Sequence, residues 1–419
     1  MWLPILTVKT LDQVDPNLRK LDSLTSTTPT QLDVPFGLFD NPLRHTQPPW
    51  NVDLTNNHVL LTGGSQVGKS TAIKTLVSSL ALNNHPRRVQ MYVIDYAGGG
   101  LAPLLDLPHV GGVATRADPD AINRMLVQTK DLIASRERLF REHRIPTMKE
   151  YRELVTRADS SSSSDAFGDV FVIIDGWDAA VAPGQILNGR GGEIESLIAG
   201  ALNYGVHFVF TTSRVVEMRG IGPHINLFIE LHSGEISRIK SSLAKERPQA
   251  AGRAITSGSE LQGLIALPRI DGVADTANMG AGLDHLIKAI STHEFTQQVE
   301  KLRTLPISLL RSEIAELVPP VGADERRRLR LPLGVRESTL RPAYAEMYRE
   351  PHLVIYGEPK SGKSELIGTV IDSIARMFPT EDDAEIVLLD PRNRPSGADS
   401  REEPVRHCSP RQRTGVGYQ

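Results

Sequence analysis

The sequence has a single cysteine in 419 residues, Cys408, which excludes an internal disulfide and fits a reducing compartment. No window approaches the roughly 18 consecutive apolar residues of a membrane-spanning helix, so none is expected. The opening Met1-Trp2-Leu3-Pro4 carries neither the basic nor the apolar region of a secretory signal peptide. Excess charge of one sign is lacking too. The formal net charge of −3 gives no general attraction to nucleic acid or anionic lipid, and no nucleic-acid partner is expected. These absences predict a cytoplasmic protein that meets a membrane only through a partner. What is present, 40% hydrophobic and 23% charged residues, is the composition of a soluble globular protein, long enough for two or three domains.

The chain repeats itself. Val34-Pro35-Phe36-Gly37-Leu38 returns as Leu331-Pro332-Leu333-Gly334-Val335, an offset of 331 − 34 = 297. His58-Val59-Leu60-Leu61-Thr62-Gly63 returns as His352-Leu353-Val354-Ile355-Tyr356-Gly357, offset 352 − 58 = 294. Met91-Tyr92-Val93-Ile94-Asp95 matches Ile386-Val387-Leu388-Leu389-Asp390, offset 390 − 95 = 295. Three matches at nearly one offset mean a duplicated module. The first copy has roughly 300 residues to itself and the second fewer than 90. Five segments are therefore expected: a lead-in over 1–33, a complete module over 34–275, a linker over 276–330, a truncated second module over 331–390 and a tail over 391–419. The linker, part of a weakly patterned region from about 233 to 330, is expected to hold short helices near 283–290 and 294–302. Its Arg326-Arg327-Arg328-Leu329-Arg330 run is either a nucleic-acid or lipid patch or solvated chain before a strand, the second favoured because no aromatics are interleaved with it. Ser160 to Ser164 reads as a surface loop, and the Arg-, Pro- and Ser-rich tail as disordered.

Residues 58–62 form an apolar run ending at a glycine-rich turn, the pattern of a buried parallel strand. Residues 70–82 follow with Ile73, Leu76, Val77 and Leu80 at helical spacing. Residues 89–95 and 170–175 are further strands, each ending in aspartate, and 206–211 and 227–231 add two more. Asp118-Pro119 opens a long helix as N-cap and first residue, and Thr147-Met148-Lys149-Glu150 is a capping box for the next. Strands alternating with helices predict an α/β fold: a mostly parallel sheet flanked by helices, of the P-loop NTPase type.

Gly63-Gly64-Ser65-Gln66-Val67-Gly68-Lys69-Ser70 is a full G-x-x-x-x-G-K-S, followed by Thr71. Its glycines let backbone N–H groups curl into a nest around phosphates at a helix N-terminus. Lys69 is then the β/γ-phosphate cation and Ser70 a Mg²⁺ ligand, making ATP and Mg²⁺ the expected cofactors. Gly357-Glu358-Pro359-Lys360-Ser361-Gly362-Lys363-Ser364 repeats the pattern, so residues from Gly357 to Ser364 are candidates for a second nucleotide loop. Val170-Phe171-Val172-Ile173-Ile174-Asp175 has the form of a Walker B strand, with Asp175 holding Mg²⁺. Many ATP-hydrolysing motors place a glutamate next. Here Gly176 stands there, and Asp178 substitutes only if the loop folds back. Binding with slow hydrolysis is predicted, since loss of a general base typically costs ~10²–10⁴-fold in rate.

Thr211-Thr212-Ser213-Arg214 places hydroxyls at a strand end, where they can sense a γ-phosphate. Arg214 or Arg219 is either an arginine finger toward a neighbour's nucleotide in a homo-oligomer or a surface arginine in a salt bridge. Asp95, before Tyr96-Ala97-Gly98-Gly99-Gly100, either touches the site or shapes a turn, and His109 reads as structural.

Trp2-Leu3-Pro4, Val34-Pro35-Phe36-Gly37, the first P-loop, Asp95 with its three glycines, Leu107-Pro108-His109-Val110-Gly111-Gly112, Gly168 through Trp177, Tyr204-Gly205-Val206-His207, Thr212-Ser213-Arg214 and Leu267-Pro268-Arg269-Ile270-Asp271-Gly272 together resemble the EccC-type ATPases of type VII (ESX) secretion, in the FtsK/SpoIIIE branch of P-loop motors. The resemblance covers nearly all of residues 1–390 in order. It implies the soluble half of a split ATPase, its second module followed by the start of the third. It also implies docking on a membrane-bound EccC-type partner that bears the first module, and export of helical-hairpin substrates of the WXG100 type. Two other functions fit parts of the sequence. A DNA translocase shares the motor fold but is disfavoured by the near-neutral charge and the lack of a basic winged-helix region. A non-catalytic adaptor that holds ATP as structural glue is favoured by Gly176.

Overall fold

The computed structural model describes residues 5–21, 24, 29–157, 168–214, 218, 220–231, 250–293, 295, 299–302, 309–317, 329–336, 341–378 and 384–387. The serine run, Arg219, Arg326 to Arg328 and the tail lie outside them. The chain divides into two compact units, residues 1–303 and 304–419. No helix of the described residues is long and apolar enough to cross a membrane.

In the first unit ten strands make one sheet: β1 (Asp33–Asp40), β2 (Pro49–Asp53), β3 (Val59–Thr62), β4 (Val89–Asp95), β5 (Val110–Thr115), β6 (Asp169–Asp175), β7 (Val206–Thr212), β8 (Leu227–Leu231), β9 (Arg253–Thr256) and β10 (Gln262–Ile265). Their spatial order is β2-β1-β10-β9-β8-β3-β7-β6-β4-β5. From β8 to β5 every pairing is parallel, and from β8 to β2 every pairing is antiparallel. The sheet is therefore parallel where the sequence alternates strands with helices.

The apolar runs of β3, β6 and β7 are buried throughout because both sheet faces are covered. Val59 and Leu61 pack in one cluster with Ile73, Leu76, Val77 and Leu80 of α2 (Lys69–Asn83) and with Leu283, Leu286 and Ile287 of α7 (Met279–Ser291). Leu60, between them, packs in the opposite cluster with Ile122, Met125 and Leu126 of α3 (Pro119–His143) and Ile194 and Ile198 of α6 (Gly191–Ala201). That alternation is the period of two of a strand.

Four local expectations change. Asp118 does precede α3, but its carboxylate accepts from the Thr115 backbone and hydroxyl (3.0 and 2.8 Å) rather than from the helix. The weakly patterned stretch after β8 holds β9 and β10, each too short to show a period. The expected helix over 294–302 is absent at its described residues. Instead Val299 and Leu302 donate backbone bonds to Pro108 and Gly111 (3.2 and 2.6 Å), and Lys301 Nζ meets the carbonyls of Leu105, Leu107 and Val110. This segment thus satisfies the open edge at β5. The lead-in is no separate appendage either, since Leu11, Leu18, Leu24 and Leu32 are buried in the main core.

The second unit carries a hairpin of β11 (Arg330–Val335) and β12 (Pro342–Glu346), then α9 (Lys363–Met377). Its register slips between Pro332 and Gly334, as that of β1 and β2 slips between Pro35 and Gly37. The repeated sequence thus builds a repeated bulge. Residues 351–358 and 384–387, where the repeat predicts strands, form none. Arg330 is no free cation of a linker: it lies in β11, 4.5 Å from the Tyr344 ring centroid and 3.5 Å from Glu346.

Candidate functional site

The turn after β3 is set by backbone conformation. Gln66 and Gly68 take positive φ (59° and 102°), which turns successive N–H groups inward at the start of α2. Gly68 is the N-cap, and behind it Gly252 donates its N–H to the Val67 carbonyl (3.0 Å). Lys69 folds back so that Nζ donates to the carbonyls of Gly63 and Gly64 (2.7 and 2.5 Å). Burial lowers its pKa, while the carboxylates of Asp178 and then Asp175 act to raise it.

Three strand ends converge here because β7 lies between β3 and β6. The Ser70 hydroxyl donates to Asp175 Oδ2 (2.7 Å), and the Thr211 hydroxyl donates to Oδ1 of the same carboxylate. Thr211 also accepts from the Gly176 backbone (2.8 Å). Burial pushes the Asp175 pKa up, against the pull of these two hydroxyls. A hydroxyl and a carboxylate in contact at a phosphate nest are the hard oxygen donors that Mg²⁺ takes, so the residues fit that ion. Among the described residues no cluster of three or more His, Cys, Asp or Glu offers a different metal site.

Gly176 has φ +87°, and a Cβ there would lie 3.3 Å from the Ala97 nitrogen and 3.4 Å from the Tyr96 carbonyl carbon. The backbone at the usual glutamate position is thus shaped for glycine. The chain turns at once into α5 (Trp177–Ala180), pinned by the buried Trp177 against Phe210. This turn brings Asp178 back to the end of β7. Its Oδ2 accepts from the Ser213 hydroxyl (2.5 Å), and Oδ1 accepts from the Ser213 backbone (3.3 Å) and the Thr212 hydroxyl (3.4 Å).

The other candidates separate. Asp95 pairs in register with Asp175 across β4 and β6, but its carboxylate is engaged by the backbones of Ala97, Gly98 and Leu101 (2.9, 3.2 and 3.0 Å). It shapes the glycine loop. His109 is buried with its Nε2 on the Asn84 carbonyl (2.6 Å) and a pKa lowered to about 3 by burial, a structural histidine. Arg214 is exposed just beyond β7. In the second loop Lys360 and Gly362 repeat the positive φ values (67° and 86°), and Lys363 Nζ meets the carbonyls of Gly357 and Glu358 (2.8 and 2.6 Å). Sequence reasoning missed the Ser213–Asp178 pair. Its signal was a third hydroxyl two residues after Thr211, opposite a carboxylate three residues after Asp175.

Comparison with known proteins agrees with this geometry. The sequence profile of the FtsK/SpoIIIE family matches residues 19–262. The ESX-1 secretion system protein EccCb1 of Mycolicibacterium smegmatis is 36% identical over 386 residues, 90% of this chain and 62% of that protein. This chain therefore spans about three fifths of that relative's length. The cytoplasmic domain of the Thermomonospora curvata type VII secretion ATPase EccC superposes with a TM-score of 0.74 at 32% identity, covering 90% of this chain and 44% of the other. A structure of ATPases 2 and 3 of that EccC, in complex with a signal sequence peptide, gives 0.73 at 33% identity, covering 90% and 68%.

Proposed function

The chain belongs to the FtsK/SpoIIIE family of P-loop ATPases, and from that membership we propose that it is an ATP-binding motor subunit of a type VII secretion system whose own site turns over slowly. The observation that carries this is the assembly of Lys69 and Ser70 at the start of α2 with Asp175 at the end of β6, beside a Gly176 whose positive φ and close Cβ contacts disfavour a glutamate. Residues 63–71 would cradle the nucleotide phosphates, with Lys69 leaving its parking carbonyls for the β- and γ-oxygens. Ser70 and Asp175 would hold Mg²⁺, which supplies charge neutralisation across those oxygens. Thr211 keeps the Asp175 carboxylate in place, a role it already performs. The complete module, expected over residues 34–275, takes in the compact unit of residues 1–303, with residues 357–364 as a second nucleotide loop.

The likeness to ATPases 2 and 3 of an EccC protein, one bound to a signal sequence peptide, supports a cytoplasmic subunit. It would dock on a membrane-bound EccC-type partner and act on WXG100-type substrates. Arg214, exposed at the rim, is the group we assign to a neighbouring subunit's nucleotide in an oligomer.

The test is Mg-ATP binding and turnover by the purified chain and by Lys69→Ala, with and without the membrane-bound partner. Tight binding lost in the variant, with little turnover alone, is expected. Brisk hydrolysis by the isolated wild-type chain would refute the slow-site assignment.

A further inference from the structure

We propose that Asp178 is the second carboxylate of the nucleotide site and that Ser213 holds it in a latched, resting position. The inference rests on nucleotide binding at Lys69. A hydrolysing P-loop site needs two groups, a carboxylate for the metal and a polar group that orients the attacking water. Asp175 is committed to the first task by Ser70 and Thr211. Position 176 is strained for the second by its backbone, with a φ of +87° and Cβ contacts of 3.3–3.4 Å. The left-handed turn at Gly176 and the Trp177 anchor instead deliver Asp178 to the same strand ends, close enough for its charge to act on the Lys69 ammonium.

Two hydroxyl–carboxylate pairs thus stand side by side: Thr211 with Asp175, and Ser213 with Asp178. They differ in what holds them. Thr211 is wholly buried within β7, whereas Ser213 lies just past its end, next to the exposed Arg214. The first pair is fixed by the sheet, and the second is held by a segment that a neighbour can reach. Ser213 bonds both Asp178 oxygens, through its hydroxyl and its backbone N–H, and so holds the carboxylate along the sheet end. Displacement of residues 213 and 214 by a docking subunit frees it. The freed carboxylate accepts a proton from water as the water oxygen bonds to the γ-phosphorus. The bond from that phosphorus to the bridging oxygen of ADP breaks with its electron pair, and the proton passes to the released phosphate.

The experiment compares wild type, Ser213→Ala, Asp178→Asn and the double variant in the full chain, measuring kcat and KM for Mg-ATP. The Kd of a non-hydrolysable Mg-ATP analogue and the urea midpoint are measured beside them. Unlatching in Ser213→Ala raises kcat on the order of ten-fold, the worth of one hydrogen bond to a charged group, with Kd unchanged. Asp178→Asn falls below wild type, and the double variant equals Asp178→Asn because the gain requires the carboxylate. A kcat for Ser213→Ala at or below wild type, a double variant that keeps the gain, or no turnover in any protein that binds the analogue overturns the latch. Failure of wild type to bind the analogue overturns instead the nucleotide site on which the latch depends.

Discussion

Replacing Gly176 by glutamate tests whether the missing side chain or the backbone is what departs from an ordinary motor. If the side chain alone were missing, Gly176→Glu would restore hydrolysis. The structure predicts otherwise. An L-residue in the left-handed region costs about 1–2 kcal/mol relative to glycine, and the new Cβ would press on the Tyr96–Ala97 peptide at 3.3–3.4 Å. Relief by moving position 176 would loosen its N–H bond to Thr211, which also holds Asp175. We expect Gly176→Glu and Gly176→Ala to lose ~1–3 kcal/mol alike in urea denaturation, since the cost begins at Cβ. Neither should raise kcat, and the affinity for Mg²⁺ should weaken in both. Hydrolysis in Gly176→Glu rising a hundred-fold with an unchanged urea midpoint would refute this reasoning, because the backbone would then accept the side chain.

Two further predictions concern stability. Asp169 is fully buried, which by itself would raise its pKa, but hydrogen bonds from His207 (2.9 Å) and from both arms of Arg152 (2.8 and 2.7 Å) hold it at about 2. A carboxyl depressed from its ordinary value near 3.9 contributes about 2 kcal/mol above that pH, lost as pH falls from ~4 toward 2. Asp169→Ala should therefore cost ~3–5 kcal/mol at pH 7 by removing the buried carboxylate that Arg152 and His207 bond. Its deficit against wild type should shrink by about 2 kcal/mol at low pH, as followed by urea midpoints. The repeated bulge gives the other test. A methyl on Gly37 would overlap the Leu264 carbonyl oxygen of β10, whereas one on Gly334 meets nothing within 4 Å. Gly37→Ala should lower the melting temperature by several degrees and Gly334→Ala should leave it unchanged.

The parts of the fold that were legible in sequence are those written in local patterns. β3, β6 and β7 are continuous apolar runs because both faces are buried, and α2 shows its stripe because one face meets the sheet. Lys69, Ser70 and Asp175 could be read from spacing and do meet. Strands β9 and β10 were not legible, since four residues in an antiparallel extension show no period above noise. The segment 299–302 misled because Leu302 and Val299 carry helical spacing, yet their backbone groups serve the edge at β5. Asp178 was named only on the condition that its loop folds back, and that condition was not legible for another reason. Its place depends on the left-handed turn at Gly176, and a glycine in sequence does not disclose the sign of its φ.

The two P-loops divide the work of the site into a local and a non-local part. Both loops reach the same conformation, with paired positive φ values and a lysine folded onto two carbonyls, although among the described residues the sheet around the first is not reproduced around the second. The phosphate nest is therefore a property of eight residues and the helix they open. The carboxylate that meets Ser70 is not. Asp175 reaches Ser70 only because β7 and β6 follow β3 in the sheet, 105 residues away along the chain. Among the described residues of the second unit no carboxylate meets Ser364 as Asp175 meets Ser70. A nest without such a carboxylate still attracts phosphate through backbone N–H groups and Lys363, but it has one fewer group with which to hold Mg²⁺.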